Sequence, residues 1–231
     1  MYSPPIPTAA PATPPTRPPL VTPARTAAVL AALSGVLVVL VVARWGPLLR
    51  LDRALAEGLH RWAVAEPGIT WVNRVLTDWA WDPWTMRLLT AAAVVAVYLR
   101  GGRLLAVWVS ATSAVGAALS QGLKAGVGRE RPQWPDPVDS AHFAAFPSGH
   151  AMTATVTCGL LLWLLRRQGA GPLVWRTALA VAVLSVAGVG LTRLWLGVHW
   201  GTDVLGGWLL GGCLVALSIA TYGRLALSRE R

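Results

Sequence analysis

Charge is scarce in this sequence. Only 13% of its 231 residues are charged, whereas 55% are hydrophobic and the mean hydropathy is +0.53. That composition excludes an ordinary soluble domain, in which about a quarter of the residues carry a charge. Lys124 is the only lysine among the twenty Lys and Arg residues, and these are spread along the chain rather than clustered as in a nucleic-acid-binding protein. We therefore expect a membrane protein that binds no nucleic acid, with basic residues that serve lipid headgroups, phosphates and topology.

Cysteine is equally sparse. The two cysteines, Cys158 and Cys213, both fall inside apolar stretches, where a thiol usually behaves as a small core residue. We therefore expect no disulfide in this chain.

Proline is plentiful but concentrated at one end. Residues 1–25 hold nine of the seventeen prolines, mixed with Ala and Thr, a composition that cannot bury a core and favours extended disorder. We expect residues 1–25 to be a disordered tail and residues 26–231 to form the membrane domain. The first apolar run after the tail is longer than the hydrophobic part of a typical signal peptide, which predicts a retained helix.

Six apolar segments follow the tail. They are Thr26–Ala43, Trp84–Leu99, Leu104–Leu123, Ala151–Leu165, Thr177–Leu191 and Val204–Tyr222. Several are shorter than the roughly 20 residues that cross the hydrocarbon of a bilayer, but flanking residues can lengthen each by a turn. The pattern predicts an all-α polytopic membrane protein, a bundle of six transmembrane helices.

The polar stretch between the first two segments is too long for a simple turn. Apolar residues recur in it at three- and four-residue steps, with a break at Pro67. This periodicity predicts two amphipathic helices that lie in the membrane interface. Five tryptophans would anchor them at headgroup level, namely Trp62, Trp71, Trp79, Trp81 and Trp84. A lid or ramp for a lipid substrate is the functional alternative to plain anchoring.

Three polar clusters mark the ends of the later segments. KAGVGRERP follows the third, PSGH precedes the fourth, and TRLWLGVHWGTD joins the fifth to the sixth. With six spans, all three clusters share one face of the membrane. Arginines in short loops and near helix ends place the N-terminus in the cytoplasm, so we expect one site at the outer face of the plasma membrane.

Two of these clusters suit an anion. Ser148 is a good N-cap for the fourth segment, and Gly149 lets a ligand approach the free backbone amides at that helix start. Lys124 and Arg131 lie seven residues apart where the chain leaves the preceding helix, and two cations beside a helix N-terminus can clamp an oxyanion. Arg129 is expected to face solvent or lipid headgroups instead.

The third cluster supplies a nucleophile. His199 and Asp203 stand four residues apart, so the carboxylate can reach one imidazole nitrogen and leave the other free. Gly197 allows the chain to turn back after Arg193, which places a third cation beside the pair. A second histidine, His150, lies across the loop, and together these residues favour catalysis over a structural hydrogen bond.

A metal ion is the alternative occupant of such a site. His150, His199 and Asp203 could serve as zinc ligands, but the three cations of the clusters would repel a metal ion. A site with three cations and two histidines fits a phosphate better. We therefore expect no metal and no cofactor.

The three clusters together resemble the signature of the type 2 phosphatidic acid phosphatase superfamily. Lys124 is followed after six residues by Arg131 and Pro132, Pro147 opens PSGH, and Arg193, His199 and Asp203 are separated by five and three residues. The resemblance covers about residues 26–225, with Thr192 where the family usually has serine. It implies an all-helical, metal-independent phosphatase in which His199 forms a phosphohistidine, Asp203 orients it and His150 protonates the leaving oxygen. The phosphoryl oxygens would be bound by Lys124, Arg131, Arg193, Ser148 and the Gly149 amide.

The resemblance leaves the substrate open. A polyprenyl pyrophosphate, phosphatidylglycerol phosphate and phosphatidic acid all present the same head to such a pocket, and six spans favour a membrane lipid over a soluble phosphate. Two other classes remain as alternatives, a lipid phosphotransferase that passes the phosphoryl group to an alcohol and a non-catalytic lipid-binding or transport protein. The His150, His199 and Asp203 set counts against the binder, because binding alone needs no nucleophile.

Overall fold

The computed structural model describes residues 21–229, and it is built from helices joined by short loops and one long one. The α-helices are α1 (Val21–Val42), α2 (Gly46–Ala65), α3 (Pro67–Val75), α4 (Pro83–Leu99), α5 (Arg103–Val127), α6 (Gly149–Arg167), α7 (Pro172–Trp195) and α8 (Gly201–Arg229). A π-helical turn, Leu76–Ala80, continues α3. The predicted tail lies outside the described residues up to residue 20, and α1 begins at Val21, five residues before its predicted start.

Local sequence explains where several helices begin and end. Prolines stand in the first turns of α2, α3, α4 and α7, where the missing N–H has no helical partner to lose. The Asp82 carboxylate caps α4 by accepting a hydrogen bond from the Trp84 amide at 2.7 Å. Gly128 ends α5 in the left-handed conformation, with φ at +59°, which glycine adopts without a steric penalty.

Helix α6 occupies the centre of the bundle. It packs against α4, α5, α7 and α8, and α1 packs along the outside of α8. Ala151, Ala154 and Leu160 of α6 are completely buried. Glycines set the close approach to α8, because a Cβ on Gly159 would come within 2.9 Å of Val215. The first turn of α6, which carries PSGH, is therefore held in place by the whole bundle.

The six predicted apolar segments correspond to α1 and α4 to α8. Within residues 21–229, four helices are long and apolar enough to cross a membrane, namely Pro23–Val42, Arg103–Val127, Pro172–Trp195 and Gly201–Ala226. Helix α4 is shorter than these four helices, with 17 residues. Helix α6 has 19 residues, but its mean hydropathy is lower than that of the four. Because α6 is surrounded by protein, it has little lipid-facing surface to cover with apolar side chains. Its crossing of the membrane stays a prediction.

The two predicted amphipathic helices are α2 and α3. The face of α2 that packs on the bundle is small and polar, and its buried residues are Asp52, Ala56, His60 and Ala63. Leu51 and Trp62 point away from the bundle and are 66% and 63% exposed. A helix that packs on the bundle through polar residues and exposes an apolar stripe on its other side suits a membrane interface.

One of the predicted tryptophan anchors is wrong. Trp62, Trp71, Trp79 and Trp84 are exposed, as anchors should be. Trp81 instead packs into the bundle beside Met86 and Val189. Gly188 on α7 makes room for its ring, because a Cβ at that position would come within 2.3 Å of it. Trp81 is a packing residue between α4 and α7.

Candidate active site

The structure brings the three polar clusters together at one end of the bundle. Lys124 lies in the last turn of α5, Arg193 in the last turn of α7, and Asp203 in the first turn of α8. The Ser148 amide at the start of α6 donates to the Asp203 carbonyl at 2.9 Å. Arg131 Nη1 lies 3.2 Å from His199 Nε2. The shared face predicted for these clusters therefore appears as one continuous site.

His199 is buried and held at both ring nitrogens. Its Nδ1 lies 3.3 Å from Asp203 Oδ2, which also accepts from the Trp200 amide at 2.8 Å. Arg131 can only donate and an ionised carboxylate can only accept. This arrangement assigns the proton to Nδ1 and leaves the lone pair of Nε2 facing the site.

The surroundings keep the His199 ring neutral. Burial lowers its pKa well below the ordinary value, and the positive charges of Arg131, Arg193 and Lys124 lower it further. A neutral imidazole with an unprotonated Nε2 is a nucleophile, whereas an imidazolium is not. The site therefore presents His199 in its reactive form.

Three cations surround the free face of His199, and all of them contact one loop. Lys124 Nζ donates to the Ala144 carbonyl at 2.6 Å, and Arg131 Nε donates to the Phe143 carbonyl at 2.9 Å. Arg193 Nη1 lies 3.8 Å from Asp139 Oδ2. Oxygen atoms of residues 139–144 thus occupy positions that the oxygen atoms of a bound anion could take.

Both arginines of this cluster are placed to bind an anionic ligand. Arg193 is 4% exposed, and its Nε has no hydrogen-bond partner among residues 21–229. A buried donor without a partner is costly, so a bound oxyanion would satisfy it. Burial also lowers the pKa of the Arg131 guanidinium, with Asp203 and Asp139 acting against that shift. An anion in the site would stabilise both charges.

The PSGH segment forms the rim of the site. Ser148 is completely buried, and its Oγ accepts from the Ala151 amide at 3.5 Å as the N-cap of α6. A Cβ on Gly149 would stand 3.8 Å from Lys124 Cε. His150 is half-buried and lies where the charges of Arg193, His199, Arg131 and Lys124 act on it. The free amides of the α6 N-terminus therefore open onto the cation cluster.

The expectation for Arg129 is wrong. Its side chain is 11% exposed rather than solvated, and Nη1 donates to Asp203 Oδ1 at 2.6 Å. Its Nη2 donates to Asp52 Oδ2 on α2 at 2.7 Å. Asp52 was not predicted as a site residue at all. The signal that could have found it is its place on the small, polar stripe of α2, opposite the exposed leucine and tryptophan side chains.

The long loop that follows α5 is tied to the far side of the site. Trp134 Nε1 donates to the Gly197 carbonyl at 2.8 Å, and the Trp134 ring stacks on His60 with centroids 4.1 Å apart. The hydrogen bond from His60 lowers the pKa of Asp136 on the same loop. Gly197 is required here, because its φ is +68° and a Cβ would come within 2.6 Å of Trp134. The loop therefore braces the turn that carries His199.

Metal ligation has little support in this geometry. Among residues 21–229, no three His, Cys, Asp or Glu side chains are grouped as metal ligands would be. His150 and His199 face cations instead, and cations favour an anionic ligand.

Comparison with known proteins agrees with this site. The family model of the PAP2 superfamily matches residues 104–226, more than half of the chain and the range that holds every predicted site residue. Phosphatidylglycerophosphatase B of Bacillus subtilis is 37% identical over 98 residues, which is 40% of this chain and 46% of that protein. Undecaprenyl-diphosphatase of Sulfolobus acidocaldarius is 36% identical over 85 residues, 37% of this chain and 35% of that protein. The chain therefore aligns with less than half the length of either relative.

A solved structure shares the fold. It is described as the crystal structure of the first transmembrane PAP2 type phosphatidylglycerolphosphate phosphatase from Bacillus subtilis. The TM-score is 0.70 at 20% sequence identity, with 86% of this chain and 96% of that chain covered. The likeness extends beyond the family match to the helices that precede α5.

Proposed function

The chain belongs to the PAP2 superfamily, and we propose that it is an integral membrane phosphatase that hydrolyses a lipid phosphate through a phosphohistidine on His199. One observation carries this proposal. The Nε2 lone pair of a buried His199 faces a cluster of three cations, while its Nδ1 is held by Asp203. Phosphoryl transfer needs little more than a positioned nucleophile, stabilised equatorial oxygens and a proton for the leaving group.

In the first step, the His199 Nε2 lone pair attacks phosphorus. The P–N bond forms as the bond from phosphorus to the leaving oxygen breaks, and His150 donates a proton to that oxygen. The imidazolium that results is stabilised by the negative charge of Asp203, 3.3 Å from Nδ1. Transfer therefore needs His150 protonated and His199 neutral in the same complex.

In the second step, water attacks the phosphohistidine. His150, now neutral, accepts a proton from that water, and the P–N bond breaks to release inorganic phosphate. His199 returns to the neutral form with its proton on Nδ1. Atoms and charges balance without a metal ion or a redox partner.

The cations and the α6 N-terminus would bind the phosphoryl oxygens. Lys124 acts as a point charge, whereas the guanidinium groups of Arg131 and Arg193 can each hold two oxygens. Ser148 and the Gly149 amide complete the cradle at the start of α6. Arg131 Nη1 must turn from His199 Nε2 to a phosphoryl oxygen, which frees the nucleophile when substrate binds.

The membrane arrangement is part of the same proposal. We place α1 and α4 to α8 across the plasma membrane, with the N-terminus in the cytoplasm and the site at the outer side. Helices α2 and α3 lie in the interface beside the site, where an exposed apolar stripe can meet lipid. The names of the two relatives favour phosphatidylglycerol phosphate and undecaprenyl pyrophosphate as substrates, with phosphatidic acid as a third candidate.

Trapping the intermediate tests the mechanism. Brief exposure of the detergent-purified protein to a ³²P-labelled lipid phosphate, followed by alkaline denaturation, should leave an alkali-stable, acid-labile label. The label should disappear in His199→Ala and persist in His142→Ala, because the exposed His142 touches Arg131 only through its backbone carbonyl. Label that survives in His199→Ala would refute the phosphohistidine. Transfer of the label to an added alcohol as its phosphate ester, instead of release as inorganic phosphate, would identify a transferase.

A further inference from the structure

Helix α2 reaches the site through a buried carboxylate. Asp52 is 3% exposed and lies on the face of α2 that packs against the bundle. Its Oδ1 accepts from the Thr202 amide at 2.9 Å, and its Oδ2 accepts from the Thr202 hydroxyl at 2.5 Å. Asp52 is thereby fastened to the first turn of α8, one residue before Asp203. It also lies outside the range that the family model matches.

Arg129 joins Asp52 to Asp203. Its Nη2 binds Asp52 at 2.7 Å and its Nη1 binds Asp203 at 2.6 Å. The guanidinium also lies 5.7 Å from the centre of the Trp200 ring. A planar fork with fixed donors can bridge two carboxylates in this way, whereas a lysine ammonium offers a single point of charge.

The net charge of Asp52, Arg129 and Asp203 matters for catalysis. Asp52 and Asp203 each carry one negative charge and Arg129 carries one positive charge, so the buried trio has a net charge of −1 beside His199. The positive charges of Lys124 and Arg131, on the phosphate-binding side, also act on Asp203. A single net negative charge matches the imidazolium that forms when His199 is phosphorylated. Without Asp52, the Arg129–Asp203 pair would be neutral and would stabilise that imidazolium less.

Arg129 keeps the Asp203 carboxylate ionised. Asp203 is completely buried, and an unpaired carboxylate in such a place is strongly disfavoured. Arg129 provides the opposite charge on Oδ1 and leaves Oδ2 for the His199 ring. Loss of Arg129 would favour a protonated Asp203, which could not stabilise a charged His199.

From this geometry we infer that Asp52 and Arg129 are positioning residues of the reaction, which keep Asp203 charged and aligned behind His199. The inference rests on the proposed phosphatase function. It gives the interfacial helix α2 a role in the chemical step, beyond contact with lipid. Neither residue touches the phosphate-binding face, so their effect should fall on turnover rather than on substrate binding.

The kinetic test compares Asp52→Asn with Glu57→Gln. Both changes remove one negative charge from α2, but Glu57 is exposed and lies outside the network. Asp52→Asn should lower kcat about tenfold or more, the scale seen when a residue that orients a metal-bound histidine is lost, and leave KM within about twofold. Glu57→Gln should change neither. A raised KM at unchanged kcat, or an unchanged kcat per folded molecule, would overturn the inference.

Arg129 allows a rescue test. Arg129→Gln should lower kcat at least as much as Asp52→Asn, and Arg129→Lys should recover part of that loss because it restores the charge. The acid limb of the kcat profile should move to higher pH in Arg129→Gln. Equal rates for the two Arg129 variants with an unshifted pH profile would show a packing role only.

A second measurement works without turnover. The chain has four histidines, so ¹⁵N-histidine labelling gives a spectrum simple enough to assign by substitution. Asp52→Asn should shift the His199 ring nitrogens while Glu57→Gln leaves them in place, and an unmoved His199 signal would overturn the inference. If the wild-type protein released no phosphate from any lipid, the proposed function would fail, and this spectrum would still decide whether the network holds His199.

Discussion

Removing the charge of Asp139 should tighten anion binding. The Asp139 carboxylate lies 3.8 Å from Arg193 Nη1, on the loop whose oxygens contact all three cations. An incoming phosphate or vanadate must compete with it. Asp139→Asn keeps the size of the side chain and the oxygen that accepts from the Ser140 amide, so the change removes little besides the charge.

The distance sets the size of the effect. Two unit charges 3.8 Å apart attract each other by about 1 kcal/mol in water and about 4 kcal/mol at the effective dielectric of a protein surface. The side chains of Arg193 and Asp139 are 5% and 22% exposed, so water reaches the carboxylate and screens the pair. We therefore take the lower end, about 1 kcal/mol, which corresponds to about fivefold tighter binding of orthovanadate.

The assay is the dissociation constant of orthovanadate, measured by calorimetry on detergent-purified protein. Asp136→Asn is the matched control, because it removes the same charge from the same loop at a residue that pairs with His60 rather than with the cations. Its dissociation constant should stay within about twofold of the wild-type value. Weaker or unchanged binding by Asp139→Asn, or an equal gain in Asp136→Asn, would refute the assignment of Arg193 to the anion site.

Three further predictions concern the histidines and the packing of the bundle. Because the pKa of His199 is lowered below its ordinary value of 6.5, ¹⁵N NMR should show its ring still neutral at pH 6.5, and half-protonation there would contradict the site electrostatics. His150→Ala should slow release of a lipid alcohol about 100-fold or more. It should slow release of p-nitrophenol much less, since that leaving group needs no proton. Equal losses of rate for the two substrates would exclude His150 as the acid. Gly190→Ala should lower the free energy of unfolding by about 1–3 kcal/mol, because its Cβ would come within 2.3 Å of Trp208, whereas Gly122→Ala has open space and should not destabilise in thermal unfolding.

The positions of the helices could be predicted from the sequence because lipid and protein interiors both demand long apolar runs. All six apolar segments lie in helices, and the polar stretch after α1 forms the two helices that its periodicity indicated. The start of α1 was missed because Pro23 lies within its first turn, where proline is tolerated. Trp81 was misplaced because a tryptophan near a helix end looks the same in sequence whether it meets lipid or a glycine on another helix.

The sequence likewise predicts some residues of the candidate site and misses others. Lys124, Arg131, His150 and His199 stand out in the sequence because their spacing carries a recognisable chemistry. Arg129 does not, since a lone arginine between glycine and glutamate gives no sign of whether it meets water or a buried carboxylate. Its partner Asp52 is 77 residues away in the chain, and only the packing of α2 on α8 brings the two together.

The most direct test of the account is release of inorganic phosphate in the presence of EDTA. The detergent-purified protein should be given undecaprenyl pyrophosphate and phosphatidylglycerol phosphate side by side, with His199→Ala as the blank and His142→Ala as the matched control. The account predicts release that survives EDTA, persists in His142→Ala and falls about a thousandfold or more in His199→Ala. Release that EDTA abolishes, or that His199→Ala retains, would contradict a metal-independent histidine phosphatase.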